Sequence, residues 1–165
     1  MAIGLVGSEM CIRDRLINTL RKPSERLNWI NNAMANAVKF GGTSLILDMT
    51  LPVIASPKFL SKMKDNALKY ENYLGLDDYN GVSKLMHGGF TTNWDFDWSK
   101  LDLPVLVLTG HFDKVFRIED DINNLIKNMK NVKRIEVPEC GHLIPIEDPE
   151  LFSYHLSGFI ISLKY

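Results

Sequence analysis

Asp113 in "LPVLVLTGHFD" and His142 in "PECGHLIPIEDPELF" are the two residues whose types and settings best support chemistry in this chain. A carboxylate beside an imidazole is a proton-handling couple, because the ring takes or gives a proton near neutral pH and a partner on one nitrogen selects which tautomer forms. Both residues also suit plainer work. An Asp after a strand can be a turn or capping residue, and a Gly-His pair can be a surface turn. The deciding matter is whether the surrounding elements bring the two side chains together.

Val105 to Leu108 is a continuous, β-branched-rich apolar run bounded by Pro104 and Gly110, as expected of a strand covered on both faces in a parallel sheet. Ile118, Ile122, Leu125, Ile126 and Met129 follow at helical spacing, with Glu119, Asp120 and Asp121 at the start and Lys127 and Lys130 at the end, which suits the helix dipole. "KRIEVPE" alternates Ile135 and Val137 with Arg134 and Glu136, as a strand with one wetter face does. The unit is β, α, β, a crossover that leaves both strands parallel and sends the loops after them to the same sheet edge. Neighbouring strands lie roughly 5 Å apart, so Asp113 and His142, just beyond the two carboxyl ends, come within hydrogen-bonding reach. That edge is where open α/β sheets bind ligands. Asp148 caps and Pro149 opens a final helix, whose Phe152, Leu156, Phe159 and Ile160 form the stripe that packs it on the sheet.

Pro104 to Phe159 resembles the C-terminal part of the α/β-hydrolase superfamily. The matching pattern is strand, Gly110, two residues, Asp113, then Gly141-His142 followed by Glu147 and Pro149. The resemblance implies an α/β class and a partial α/β-hydrolase fold: a helical cap followed by the last two parallel strands and their helices. It puts Asp113 in the place of the triad acid and His142 in that of the base. Phe116 or Arg117 stands where members often carry a proline, a departure that bears on the shape of the acid loop.

In those roles His142 takes the proton of a nucleophile's hydroxyl and passes it to the leaving group, while Asp113 orients the ring and stabilises its charged form. Neither residue attacks substrate. The family's nucleophile sits upstream in a Gly-x-Ser-x-Gly elbow, and no such pentapeptide occurs in the 165 residues. Gly42-Thr43-Ser44 comes nearest, but it lacks the second glycine and follows a helical pattern. The expectation is therefore a fragment of a serine-type hydrolase of small carboxylic esters, lactones or related acyl compounds, inactive alone. Epoxide hydrolases, dehalogenases, haloperoxidases and C–C hydrolases share the acid and histidine, and a non-catalytic descendant binding a ligand or partner remains a different class of reading.

Leu5 to Arg15, "LVGSEMCIRDR", resembles the translation of a sequencing-library adapter, so residues 1–15 are set apart, with 16–100 expected as the helical cap region and 101–165 as the C-terminal part of the core. Ser24 and Glu25 open a helix through Leu27, Ile30, Met34 and Val38 that Gly41-Gly42 closes. Ser56-Pro57 opens a second, through Leu74, which Gly75 stops, and a third passes Val82, Leu85 and Met86 to Gly88-Gly89. "GGTSLILDMTLP" and "WDFDWSKLDLP" resemble the cap of small ester and lactone hydrolases such as the enol-lactonase group, which would lie over the triad. Phe90, Trp94, Phe96 and Trp98 are either a lid lining or packing, and Val115 and Leu143 are substrate-contact candidates by position alone.

A formal net charge of −1, with 45% hydrophobic and 24% charged residues, is ordinary for a globular domain and gives no electrostatic case for nucleic acid or an anionic membrane. No continuous apolar run nears the roughly 20 residues of a spanning helix. Cys11 falls in the adapter-like stretch, leaving Cys140 as a small buried side chain, and a reducing, cytoplasmic setting is the default. His87, His111 and His155 show no metal-ligand spacing, and neither metal nor cofactor is expected.

Overall fold

The computed structural model describes residues 14–19, 22–91 and 96–162. In chain order they form β1 (Asp14–Ile17), α1 (Glu25–Ile54), α2 (Pro57–Met63), α3 (Gly81–Thr91), β2 (Val105–Gly110), α4 (Glu119–Ile126), β3 (Val132–Val137), α5 (Ile144–Glu147) and α6 (Pro149–Ser162). Residues 22–96 make one compact unit, and β1 joins the residues from Asp97 onward in another.

In the second unit β2 lies between β1 and β3, parallel to both. All six β2 residues are buried because the strand is covered on both faces. Its side chains alternate, as a pleated strand requires. Val105 and Val107 pack with Leu101, Ile122 and Met129, whereas Leu106 and Leu108 pack with Val137, Cys140, Ile144 and Phe159. Ile122 is on α4 and Phe159 on α6, so the two helices cover opposite faces of the strand. Burying each of these large side chains contributes about 1.5–3 kcal/mol.

β1 was not expected from the sequence, and two of its residues belong to the stretch set apart as adapter-like. Asp14 and Arg15 pair with Val105 and Leu106, and Leu16 and Ile17, expected in the helical region, pair with Val107 and Leu108. Ladder hydrogen bonds are made by backbone groups, so residue identity at a short strand is a weak guide to its presence. By compactness the helical unit runs over 22–96.

Within that unit α1 is two helices joined at Gly42, whose φ of 60° is a left-handed value that glycine adopts at little cost. The Gly41-Gly42 break is thus real, but helix resumes beyond it to Ile54. By length and a mean hydropathy of 1.3 over its most apolar window, α1 is long and apolar enough to cross a membrane, contrary to the expectation of no such stretch. The kink divides it into two pieces, each shorter than the roughly 20 residues a span requires. Ala37, Val38 and Ile46 form a small core with Leu76, Val82 and Met86.

The second helix stops at Met63, well short of Leu74. The chain passes instead into 3-10 turns at Lys64–Asn66 and Tyr70–Asn72, and Asp48 on α1 holds the stretch between and after them: its Oδ2 accepts from Leu68 N–H at 2.9 Å and from the Tyr73 hydroxyl at 2.8 Å. Leu68 takes a positive φ of 57° there. That hydrogen bond to Asp48 also raises the Tyr73 pKa above its ordinary value. Gly75 does not cap a helix but lets the chain cross α1, since an added Cβ would overlap the Lys39 carbonyl. Leu76 N–H then bonds Val38 O at 3.0 Å.

Candidate active site

The loop after β2 carries Asp113 and the loop after β3 carries His142, and the structure brings them into contact. His142 Nδ1 lies 2.7 Å from Asp113 Oδ2, with the Asp113 side chain 0% and the His142 side chain 22% exposed. The other carboxylate oxygen, Oδ1, accepts from Val115 N–H at 3.1 Å and Phe116 N–H at 2.8 Å. Asp113 is therefore fixed by its own loop before it meets the imidazole. With Nδ1 taken by the carboxylate, the tautomer that donates there leaves Nε2 as the acceptor. His142 Nε2 has no partner among the described residues.

Phe116 is one of the two positions at which members of the family often carry a proline. A proline has no N–H and could not make the 2.8 Å bond to Asp113. The Phe116 ring also lies against the imidazole, with centroids 4.7 Å apart and planes inclined at 44°. Arg117, the next residue, turns outward to Glu136 at 2.8 Å and Glu119 at 3.2 Å.

The two loops approach so closely that Gly110 has no room for a side chain: a Cβ there would overlap the Gly141 carbonyl. Phe112 N–H bonds Cys140 O at 3.0 Å across the same gap. Glu147 braces the histidine from both sides. Its Oε2 accepts from Gly141 N–H at 3.0 Å and its Oε1 from Leu143 N–H at 3.1 Å. Beside the site Arg134 donates to Glu119 at 2.9 Å, and His111 Nδ1 lies 3.1 Å from Glu136. The Arg134 bond holds the Glu119 carboxyl below its usual range, and Arg134 is raised in turn. Glu136 is lowered chiefly by its hydrogen bond with His111, with Arg117 adding to it against the opposing cost of burial.

The remaining sequence candidates are placed less centrally. Val115 is buried and Leu143 half-buried; each gives its backbone N–H to a carboxylate of the site. Cys140 is fully buried in the apolar cluster beneath the loop. Ser44 lies within α1, not on a strand-to-helix turn. Trp98 packs on the core of the sheet-bearing unit and Phe96 is exposed, while Trp94, the Phe90 side chain and Cys11 lie outside the described residues. Asn18 was missed altogether. It follows β1 and bonds to Gly110, Gly141 and His142, residues more than 90 positions away, so no local pattern announces it.

A thermophilic esterase from Thermogutta terrifontis superposes with a TM-score of 0.73 at 19% identity, over 93% of this chain and 57% of its own. The enol-lactonase from Burkholderia xenovorans LB400 gives 0.68 at 16% identity, over 90% of this chain and 56% of its own. This chain has the α/β-hydrolase fold. No protein-family model matches it. Among curated proteins, one of Bacillus subtilis (strain 168) assigned as a 2-succinyl-6-hydroxy-2,4-cyclohexadiene-1-carboxylate synthase is 33% identical over 87 residues. That match takes in 50% of this chain and 31% of the relative. The chain thus spans little more than half of its α/β-hydrolase structural neighbours and under a third of the relative, as a C-terminal part of the fold would.

Proposed function

We propose that this chain supplies the acid and base of a serine-type α/β-hydrolase acting on a small carboxylic ester, lactone or related acyl compound, with Asp113 as the triad acid and His142 as the general base. The observation that carries the reading is the 2.7 Å contact between His142 Nδ1 and the buried Asp113 carboxylate. The esterase and enol-lactonase among the structural neighbours support the substrate class.

In this reading the nucleophilic hydroxyl and the oxyanion donors lie in sequence upstream of Leu16, in the part of the fold this chain does not span. The hydroxyl proton moves to His142 Nε2 as the oxygen bonds to the acyl carbon. His142 then gives that proton to the departing oxygen as the C–O bond breaks, leaving an acyl-enzyme. Water repeats the cycle, with the same nitrogen accepting its proton and returning it to the serine oxygen. Asp113 stays ionised throughout, holding the tautomer and stabilising the imidazolium. No cofactor enters the sequence of steps. Val115 and Leu143 would border the acyl group.

The test is to recover the upstream coding sequence, express the joined protein and measure p-nitrophenyl ester turnover. The expectation is activity that falls by about four orders of magnitude in Asp113→Asn and about six in His142→Ala, and none in the 165-residue chain alone. Equal turnover in Asp113→Asn, or an elbow holding Ala or Gly in place of the nucleophile, overturns it. An elbow aspartate would transfer the reading to epoxide or halide chemistry.

A further inference from the structure

Asn18 is the first residue beyond β1, 7% exposed, with a backbone φ of 49°. Its own N–H bonds Leu108 O at 2.9 Å, continuing the β1–β2 ladder by one step. Both ends of its carboxamide are engaged. Oδ1 accepts from Gly110 N–H at 2.8 Å, at the root of the acid loop. Nδ2 donates to Gly141 O at 3.1 Å and to His142 O at 2.8 Å. One side chain therefore ties the segment leading into Asp113 to the peptide of His142 itself.

The residue type is demanded by this arrangement. Aspartate has the shape but no donors and would set a carboxylate against two carbonyl oxygens. Glutamine is a methylene longer, and leucine makes no hydrogen bonds. Asparagine is also among the few non-glycine residues that tolerate a positive φ. The tie matters because the other backbone bonds across the gap, His111 N–H to Val137 O and Phe112 N–H to Cys140 O, both at 3.0 Å, stop short of His142, whereas Asn18 bonds the His142 carbonyl itself; Gly110 against the Gly141 carbonyl limits how near the loops come. A hydrogen bond as short as that between Asp113 and His142 weakens steeply with small displacements of either loop.

We propose that Asn18 is a positioning residue for His142, holding the histidine loop at the distance and angle from Asp113 at which Nδ1 is bound. This rests on the reading of Asp113 and His142 as a functional couple and adds a third element, strand β1, to the two that carry the pair.

The experiment follows carbethoxylation of each histidine by diethyl pyrocarbonate across pH, read by peptide mass spectrometry on the 165-residue chain at submicromolar concentration. Asp113→Asn provides the profile of an uncoupled His142. Asn18→Gly removes the side-chain bonds and keeps the positive φ accessible; Asn18→Asp keeps the shape and removes the donors. The expected result is that both Asn18 variants move the His142 profile at least half of the way from wild type to Asp113→Asn, while His87 and His155 keep theirs. A wild-type His142 profile in both Asn18 variants, against a displaced one in Asp113→Asn, overturns the proposal and leaves the couple intact. No displacement in Asp113→Asn overturns the couple, and the proposal with it. Altered profiles at His155 as well as His142 in both variants show that Asn18 holds the whole sheet-bearing unit, which also overturns a specific role at the histidine.

Discussion

Replacing Glu147 by glutamine tests whether the histidine loop is held by charge and geometry together. The carboxylate is 5% exposed and receives two backbone N–H groups, from Gly141 at 3.0 Å and Leu143 at 3.1 Å, one on each side of His142. Glutamine has the same size but one acceptor, so its NH2 must face one of the two N–H groups and leave it buried without a partner, at about 1–3 kcal/mol. The bond that survives changes from charge-assisted to neutral, a further loss of about 1 kcal/mol. The expected local destabilisation is about 2–4 kcal/mol, and since each 1.4 kcal/mol is tenfold, amide exchange at Gly141 and Leu143 should accelerate by about 30- to 700-fold. Hydrogen-exchange mass spectrometry on the peptide spanning 138–148 measures this, with a peptide from β2 as reference. Acceleration below about threefold, or equal acceleration in both peptides, would refute the assignment of Glu147 as a local brace.

Gly110→Ala should lower the unfolding free energy by about 2–4 kcal/mol, from overpacking against the Gly141 carbonyl and loss of the Phe112–Cys140 bond, seen as a reduced urea midpoint at unchanged slope. Stability should also fall on acidification through the Glu119 and Glu136 carboxyls. Their folded pKa values are depressed by hydrogen bonds from Arg134 and His111, respectively, so their contribution is complete above the unfolded carboxylate value and is lost as pH drops through the folded one. Thermal melts at pH 7 and pH 4 should therefore differ less in the Glu119→Gln, Glu136→Gln double variant than in wild type, and an unchanged difference would count against that role.

Much of the sheet-bearing unit was legible because its signals are local. The all-apolar run at Val105–Leu108, the 3.6-residue spacing around Ile122 and the Asp148-Pro149 start each became an element of the expected type, with Leu151 N–H capped by Asp148 at 3.0 Å, although α4 ends at Ile126, before the Lys127 and Lys130 expected in its last turn. The helical unit was less legible. Residues 64–74 carry helix-compatible types, but Asp48, twenty positions before Leu68, offers their backbone a competing partner. Gly75 reads as a stop in sequence and serves as a crossing point in space.

Sequence alone determined the chemistry available, a carboxylate and an imidazole after successive parallel strands, because strand direction and the crossover between them follow from periodicity. The tertiary structure decided how tightly that pair is held. The β1 strand, the Asn18 tie and the fit of Gly110 against Gly141 join segments distant in the chain through backbone hydrogen bonds and close contact. Those interactions depend on three-dimensional proximity, which leaves no periodic trace in the order of residues.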